Sequence, residues 1–350
     1  MTGAGARLAV LVALALGGCR QRPSTGSAAD SGAETGGEVV EADRQLLGTD
    51  FRISIADVPE ERAHAGIEAA FAEVSRVERL LSSHVPTSDV SRINDAAGRE
   101  PVVVSSETIA LIEEAREVSD LSDGALDVSF APLMSVWASV REDPPRIPTE
   151  EAIREALALV GYRRIVVDRD RHTVQLPVAG MRIGLGAIGK GYAVDKASEV
   201  LRQQGIASFI VGGGGDLYVQ GSKRGVPWRL GIQHPRNRSA LIGEISFRQP
   251  GAIVTSGDYE RFVEVDGVRY HHIFDPRTGR SARGCSSVTL LAETATRADA
   301  LATAVFVLGP EAGMRLVDRL PGVEAVIVDE ALHVTMSPRL RGRVRLIEPL

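Results

Sequence analysis

The sequence predicts an α+β fold, a single body of two lobes in which antiparallel sheets are flanked by helices. Two observations lead to this prediction. Helical patterns dominate the first 200 residues, whereas short strands joined by turns dominate residues 208–291. A third observation concerns domain number: no linker-like composition interrupts residues 45–350, which favours one packed body.

Composition excludes several classes of protein. Of the 350 residues, 44% are hydrophobic and 25% are charged, so the chain can bury a substantial core and is not disordered as a whole. Its one long apolar run is N-terminal, which excludes a polytopic membrane protein. A net charge of −6 argues against nucleic acid as the main partner. Two cysteines, Cys19 and Cys285, cannot form a disulfide scaffold or a four-cysteine zinc site, and a buried, unpaired thiol is the simplest interpretation of Cys285.

The N-terminus has the pattern of an export signal. Residues 8–16 are apolar but too few to span a bilayer as a helix, and Gly17, Gly18 and Cys19 follow as in a lipoprotein cleavage box. We expect residues 1–18 to be a signal peptide and the protein to be exported, anchored to a bacterial membrane through lipidated Cys19 and facing the periplasm. The alternative is an ordinary secretory signal with a chance cysteine.

The region after the signal divides into a linker and a folded part. Residues 19–44 are rich in Ser, Gly, Ala, Thr and Glu, which predicts a flexible tether. The folded domain is predicted over residues 45–350.

The first half of this domain is predicted to be mainly helical. Residues 51–55 alternate as a strand, and Pro59 precedes a long amphipathic helix. Ser105 and Thr149 are placed to cap two further helices, the second ending near Gly161.

The second half is predicted to consist mainly of strands. Residues 165–167 and 174–176 predict a hairpin, and an amphipathic helix follows that Gly205 ends. Strands are then predicted over residues 208–211, 217–220, 228–232, 242–247, 253–255, 262–265, 268–271 and 287–291. Helices at about 296–307 and 310–319 and a hairpin over 323–335 complete the chain.

A glycine-rich segment, residues 184–191 (GLGAIGKG), matches the dinucleotide pattern G-x-G-x-x-G and nearly matches the P-loop. Neither motif is complete, because no strong strand precedes the segment and Gly191 stands where a P-loop has a magnesium-binding hydroxyl. Glycines still allow close backbone approach, and Lys190 stands at the start of a predicted helix, where anions bind well. The segment predicts a phosphate or pyrophosphate site; a glycine turn with a solvated lysine is the alternative.

Asp299 and Thr303 are four residues apart on a predicted helix, so their side chains share one face. Two oxygen ligands suit Mg²⁺, which keeps waters and substrate oxygens in its other positions. The alternative is a carboxylate near a helix N-terminus and a threonine bonded to its own backbone.

Two adjacent histidines, His271 and His272, precede the turn sequence Asp-Pro-Arg-Thr-Gly. Paired histidines suggest a metal site or a general base. Because neighbouring residues of an extended segment point to opposite faces, we expect at most one of them to face a given site.

Short polar residues and glycines also stand beside predicted strands at residues 255–261 (TSGDYER) and at the glycine run 212–215 before Asp216. Such segments make anion cradles, and they also make ordinary turns.

In this order, the motifs resemble the ApbE family of FAD:protein FMN transferases. The resemblance covers nearly all of residues 45–310 and is carried by residues 47–49 (LGT), 88–94 (SDVSRIN), 124–137 (GALDVSFAPLMSVW), 184–195 (GLGAIGKGYAVD), 213–216 (GGGD), 255–261, 271–279 (HHIFDPRTG) and 298–303 (ADALAT). It implies an α+β enzyme that binds FAD as substrate, uses Mg²⁺ to polarise the pyrophosphate, moves FMN onto a threonine hydroxyl of an acceptor protein and releases AMP.

The resemblance also implies roles for individual residues. Asp299 and Thr303 would ligate Mg²⁺, with the carbonyl of Ala187 nearby. Lys190 would lie near the FAD phosphates and assist catalysis, and His272 would be the general base. Further FAD contacts would come from Leu47 and Asn94 at the flavin end and from Asp127, Gly186, Thr255, Ser256 and Asp258.

The chain departs from the family pattern at a few positions. Leu47 stands where methionine is common, and Gly189 stands where alanine is usual. Leu126, Val128 and Ser129 replace the usual aromatic residue, isoleucine and threonine around Asp127.

Three rival functions stay open. A Mg²⁺-dependent FAD pyrophosphatase would use the same site to give free FMN and AMP. A flavin-binding lipoprotein would hold FAD without chemistry, and a solute-binding lipoprotein would have two hinged α/β lobes. For the transferase, the resemblance implies that the acceptors are membrane-bound redox subunits.

Overall fold

The computed structural model describes residues 39–347. The predicted signal peptide, the lipidated Cys19 and most of the predicted tether lie outside the described residues.

The helices and strands have the following bounds. The helices are α1 (Glu60–Leu81), α2 (Asp89–Asp95), α3 (Ser106–Leu121), α4 (Ala131–Trp137), α5 (Glu150–Leu157), α6 (Gly189–Gln203) and α7 (Ala295–Asp318). The strands are β1 (Val40–Leu46), β2 (Thr49–Ile55), β3 (Val102–Val103), β4 (Val166–Asp168), β5 (Thr173–Gln175), β6 (Phe209–Gly213), β7 (Asp216–Gln220), β8 (Ser222–Lys223), β9 (Val226–His234), β10 (Asn237–Phe247), β11 (Gly251–Gly257), β12 (Phe262–Val265), β13 (Val268–His271), β14 (Phe274–Asp275), β15 (Arg280–Ser281), β16 (Cys285–Ala292), β17 (Glu324–Asp329), β18 (Val334–Met336) and β19 (Val344–Leu346).

The centre of the fold is an eight-stranded sheet in the order β1-β2-β6-β7-β11-β16-β17-β18. All of its neighbouring strands are antiparallel. Along β17, Ala325 and Ile327 join the core beneath the helices, whereas Val326 and Val328 join a second core on the other face. Successive side chains of a strand point to opposite faces, so this alternation shows that both faces of the sheet are buried.

Helices α1, α3, α6 and α7 pack together on one face of this sheet. The last of them is interrupted at Gly309, whose φ of +81° is left-handed, and at Pro310. The interruption confirms the prediction of two successive helical segments. Among the described helices, α7 alone is long and apolar enough to cross a membrane, and its burial in the core accounts for that composition.

A four-stranded sheet, β19-β10-β9-β8, covers the other face. Trp228, Leu230, Phe247 and Val344 from this sheet fill the second core. A third, smaller core surrounds Trp137 beneath α4 and α5. The observed layers confirm the predicted α+β fold with antiparallel sheets flanked by helices.

The predicted boundary of the tether at residue 44 is wrong. Residues 40–44 belong to strand β1, which pairs with β2 along the edge of the large sheet. Val40, Ala42 and Leu46 pack against the core, and Asp43 on the alternate face pairs with Arg52 at 2.6 Å. Polar composition concealed this strand because an edge strand needs apolar residues on one face only.

Candidate active site

A buried cluster of one lysine and two carboxylates lies between the helix layer and the large sheet. Lys190, in the first turn of α6, places its Nζ 3.0 Å from Asp299 Oδ1 on α7 and 3.0 Å from Asp216 Oδ2 at the start of β7. The side chains of Asp216 and Asp299 are 1% and 3% exposed, whereas that of Lys190 is 25% exposed. Lysine therefore faces the opening, with both carboxylates behind it.

Close packing of α6 on α7 brings these residues together. Gly191 has no side chain, and a Cβ there would lie only 2.2 Å from the carbonyl oxygen of Ala295. Asp195, one turn further along α6, accepts hydrogen bonds from the backbone N–H groups of Ala295 and Thr296 at 2.9 and 2.8 Å. The first turn of α7 is thus capped by a carboxylate on α6, which fixes the two helices against each other.

Burial and charge shift the ionisation of this cluster. Desolvation opposes a charged Lys190, but Asp216 and Asp299 outweigh it and raise the pKa of the lysine, which stays protonated. The pKa of Asp216 is raised well above its usual value by burial and then by the charge of Asp299, against the attraction of Lys190. Asp216 is therefore the member that most readily takes up a proton, and a further cation at Asp299 would favour its ionised form.

The two adjacent histidines have different surroundings, as predicted. His271 is buried; its Nε2 lies 2.9 Å from the carbonyl oxygen of Ala282, and its Nδ1 accepts a hydrogen bond from the backbone N–H of Ile273. His272 follows it at the end of the β12–β13 hairpin, whose two-residue turn is Asp266-Gly267. The Nδ1 atom of His272 is buried without a hydrogen-bond partner.

His272 is neutral in this environment. Burial lowers its pKa first, and the positive charges of Arg261 and Lys190 add to the effect, bringing the pKa to about 3. A neutral imidazole with an unused ring nitrogen can accept a proton.

An open cleft of about 60 Å³ borders His272. It is lined by aromatic side chains and two cationic ones, among them Trp137, Tyr270, Phe274, Arg141 and Arg261. Trp137 also donates a hydrogen bond from Nε1 to the carbonyl oxygen of Gly279 at 2.7 Å, which fixes the turn after the histidines.

Arg261 connects the histidine to the predicted flavin end. Its Nη2 donates to the carbonyl oxygen of Gly48 at 3.0 Å, and its own carbonyl accepts from the backbone N–H of His272 at 3.1 Å. Leu47 begins the Leu47-Gly48 turn with a left-handed φ of +52°, held by a 2.9 Å hydrogen bond from its N–H to Glu78. Arg261 therefore links the turn that holds Leu47 to the backbone of His272.

Asn94 supports the glycine segment. Its amide donates to the carbonyl oxygen of Ile183 at 3.0 Å and accepts from the N–H of Ile183 at 2.7 Å. Gly186, three residues on, is exposed, and a Cβ there would contact nothing within 4 Å. The segment thus presents open backbone, as a ligand cradle requires, with Asn94 holding its start.

The other predicted FAD contacts have partners within the protein. Both carboxylate oxygens of Asp127 accept hydrogen bonds, from Ser129 and from the N–H of Tyr162. Asp258 forms a two-pronged ion pair with Arg236 at 2.6 and 2.8 Å.

Thr255 and Ser256 are consecutive on β11. Thr255 shares a 2.8 Å hydrogen bond with Thr289 across the strand pair, and Ser256 lies on the opposite face of the sheet, towards the helices.

The predicted cation ligands have hard oxygen donors. Asp299 and Thr303 lie one turn apart on α7, and Ala187 lies in the turn before α6, three residues ahead of Lys190. Within residues 39–347, no three His, Cys, Asp or Glu side chains converge as in a transition-metal site. Carboxylate, hydroxyl and carbonyl oxygens fit Mg²⁺.

Comparison with known proteins identifies the family. Residues 47–327 match the model of the ApbE family. The chain belongs to the ApbE family. This confirms the predicted resemblance over most of its length.

Its ApbE relatives are similar over most of their lengths. The FAD:protein FMN transferase of Treponema pallidum is 35% identical over 87% of this chain and 88% of its own, and that of Escherichia coli K12 is 31% identical over 96% of both. The crystal structure of the ApbE protein of Thermotoga maritima matches with a TM-score of 0.81 at 36% identity, covering 87% of this chain and 99% of its own. The Vibrio cholerae flavin transferase ApbE matches with a TM-score of 0.78 at 29% identity, over 87% and 99% of the two chains.

These ApbE relatives confirm the expectation of an enzyme of the flavin transferase class. The continuous eight-stranded sheet also differs from the two hinged α/β lobes expected of a solute-binding lipoprotein.

Two features of the site did not come from sequence reasoning. Asp216, the second carboxylate of the lysine cluster, is marked in the sequence only as the end of a glycine run. That run was the available signal, because Gly214 and Gly215 have left-handed φ values of +59° and +96° and turn the chain sharply into β7. The other is Asp195, whose capping of α7 joins residues 100 positions apart.

Cys285 has the simple role expected of it. It is buried on β16, and burial raises its pKa to about 12, so the thiol stays protonated and unreactive.

Proposed function

We propose that this chain transfers FMN from FAD to a threonine hydroxyl of an acceptor protein in a Mg²⁺-dependent reaction, releasing AMP. The observation that carries the proposal is the position of His272, whose unpartnered Nδ1 borders a cleft and lies within the electrostatic influence of Lys190. The names of the relatives, FAD:protein FMN transferase, supply the reaction class.

The acceptor hydroxyl needs a base, since threonine is a poor nucleophile while it keeps its proton. In the Nε2–H tautomer, His272 takes that proton at Nδ1. The threonine oxygen then forms a bond to the FMN phosphorus as the bond from that phosphorus to the AMP oxygen breaks. A bound diphosphate would raise the pKa of His272 from its low value, because its negative charge stabilises the imidazolium.

Lys190 stabilises the departing AMP phosphate with its fixed positive charge. Asp299 and Thr303 would hold Mg²⁺ through their side chains, with the carbonyl of Ala187 as a third donor. Bound there, the cation would neutralise charge on the pyrophosphate.

Gly186 and the open glycine segment would receive the phosphates, and Leu47 would pack against the flavin ring, as the family resemblance implies. Asp127, Asp258, Thr255 and Asn94, whose polar groups have partners within the chain, would support this pocket through those bonds.

We also propose that the protein acts on the outer side of a membrane, anchored through lipidated Cys19 in the periplasm. The support is the apolar run and small residues before Cys19. Membrane-bound redox subunits carrying a target threonine would be within reach of such an anchored enzyme.

The decisive experiment combines the chain from Arg20 onward with FAD and Mg²⁺, with and without a candidate acceptor that carries a flavinylation threonine. We expect AMP release and flavin fluorescence on the acceptor band after denaturing electrophoresis, both requiring Mg²⁺ and the acceptor. Asp299→Ala serves as the control and should abolish turnover at ordinary Mg²⁺ concentrations.

Other outcomes would contradict the proposal in different ways. AMP and free FMN in place of a labelled band would identify a pyrophosphatase. FAD that stays bound without either product would identify a flavin carrier. Retained activity in Asp299→Ala would remove that residue from the cation site.

A further inference from the structure

Asp216 belongs to the lysine cluster, yet the proposed reaction gives it no role. We propose that Asp216 is a positioning residue that shares the Lys190 ammonium with Asp299 and keeps Lys190 in place when Asp299 takes a divalent cation. This inference rests on the proposed function, because it assumes a cation at Asp299.

The geometry places Lys190 between two competing carboxylates. Its Nζ lies 3.0 and 3.1 Å from the two oxygens of Asp299 and 3.0 Å from Asp216 Oδ2. Asp299 has a second partner, the backbone N–H of Gly191 at 3.1 Å. Asp216 Oδ2 is fully buried and, apart from this ion pair, makes no hydrogen bond.

The sheet holds Asp216 more firmly than a loop would. Asp216 opens β7, where it pairs with Gly213 on β6 and with Val254 on β11. Lys190, by contrast, reaches the cluster on a flexible four-carbon side chain. When Asp299 turns to a cation, Asp216 is the fixed charge that stays with the ammonium.

The net charge of the cluster determines how the loss of Asp216 or of Lys190 would change its affinity for a cation. A divalent cation at Asp299 would favour the ionised form of Asp216, so the two carboxylates, the Lys190 ammonium and the cation would sum to +1. Without the charge of Asp216 the sum would go from 0 to +2, which is unfavourable in a buried site. Without the charge of Lys190 it would go from −2 to 0, which favours the cation.

The test measures cation binding directly, without FAD or acceptor. Mn²⁺ is titrated into the purified full-length protein and followed by electron paramagnetic resonance, with Mg²⁺ as competitor. We expect Asp216→Asn to bind Mn²⁺ about 10–100-fold more weakly than wild type, the usual effect of losing a group that supports a metal ligand. Lys190→Gln should bind it more tightly. Asp89→Asn, at a buried carboxylate on α2 bonded to Ser105 and Thr108, is the matched control and should leave Mn²⁺ affinity unchanged.

The opposite signs separate positioning from a structural role, since damage to the fold would weaken binding in both cluster variants. Unchanged affinity in Asp216→Asn, or weaker binding in Lys190→Gln, would overturn the inference. If Asp216→Asn does not fold, the sign of the Lys190→Gln effect decides. A wild-type protein that binds no Mn²⁺ would instead refute the cation site of the proposed function, and the inference with it.

Discussion

The backbone N–H of Gly191 donates a 3.1 Å hydrogen bond to Asp299 Oδ2, across the contact between α6 and α7. This contact exists because Gly191 has no side chain: a Cβ would lie 2.2 Å from the carbonyl oxygen of Ala295 and 2.9 Å from the Cβ of Asp299. Gly191 is the residue that breaks the P-loop pattern. Its lack of a side chain lets α6 approach α7, which brings Lys190 close to Asp299.

Gly191→Ala should force the two helices apart. We expect the free energy of unfolding to fall by about 1–3 kcal/mol, the usual cost of overpacking, and Mn²⁺ binding to weaken. Urea denaturation and Mn²⁺ titration measure the two effects.

Gly189→Ala, two residues earlier on the same helix, is the matched control. A Cβ there would meet only Leu185, at 3.9 Å, so we expect a gain of about 0.4–1 kcal/mol from the less flexible unfolded chain. Equal destabilisation by both alanines would show that steric contact at Gly191 is not the cause.

Alanine substitution should affect catalysis at His272 and stability at His271. His272→Ala should retain FAD binding and slow transfer by about 10²–10⁴-fold, the usual contribution of a general base. His271→Ala should lower the free energy of unfolding by about 1–3 kcal/mol, because it leaves the carbonyl of Ala282 without its ring partner. Single-turnover kinetics and urea denaturation check the pair; unchanged transfer in His272→Ala would remove it from the mechanism.

Asn94→Ala should loosen the glycine segment. It leaves the N–H and the carbonyl of Ile183 without the side-chain amide that now bonds both, at a cost of roughly 1–3 kcal/mol. We expect weaker FAD binding in a fluorescence titration, because the cradle at Gly186 loses its support. Asn94→Asp, which keeps the acceptor but turns a carboxylate oxygen towards the carbonyl of Ile183, should weaken FAD binding at least as much, and equal FAD affinity in all three proteins would contradict this role.

Stability should fall in mild acid because of His272. The pKa of His272 is lowered from 6.5 to about 3 on folding, so between these values the unfolded chain binds a proton that the folded chain does not. Stability from this residue is therefore complete above pH 6.5 and is lost as the pH falls towards 3, by roughly 1.4 kcal/mol per pH unit.

Denaturant midpoints at pH 7, 6, 5 and 4 test this linkage. His272→Gln cannot take up the proton, so the difference in stability between wild type and variant should shrink by that amount per unit below pH 6.5. Parallel pH profiles for the two proteins would show that His272 is not buried in its neutral form.

Local patterns predicted most of the elements and the positions of several candidate site residues within them. Periodicity and helix-end chemistry predict Lys190 at the start of a helix and Asp299 and Thr303 on one helix face. The alternation of side chains in an extended segment likewise predicts different surroundings for the two neighbouring histidines. Strand β1 gives a weak pattern in the sequence because its apolar face carries only small or partly buried side chains.

The partners of the site residues were beyond local patterns. Asn94 bonds Ile183 across 89 positions, and Lys190 bonds Asp299 across 109. Asp127 and Asp258 have partners that only the tertiary fold brings near, so a sequence motif that contains them does not reveal whether they touch ligand or protein. Asp216 is the opposite case: its sequence context is an ordinary glycine run, and only the fold shows that its carboxylate is buried beside Lys190.

The hairpin that ends at the histidines turns through Asp266 and Gly267, both with left-handed φ values of 51° and 75°. Strand side chains alternate in direction, so a one-residue shift in the pairing of β13 with β12 would turn the side chains of β13 to the opposite face. His271 would exchange its environment with His272, and the chain would keep both imidazoles while losing the free ring nitrogen beside the cleft. Under the proposed mechanism, such a shift in pairing would abolish activity although every reactive side chain would still be present in the sequence.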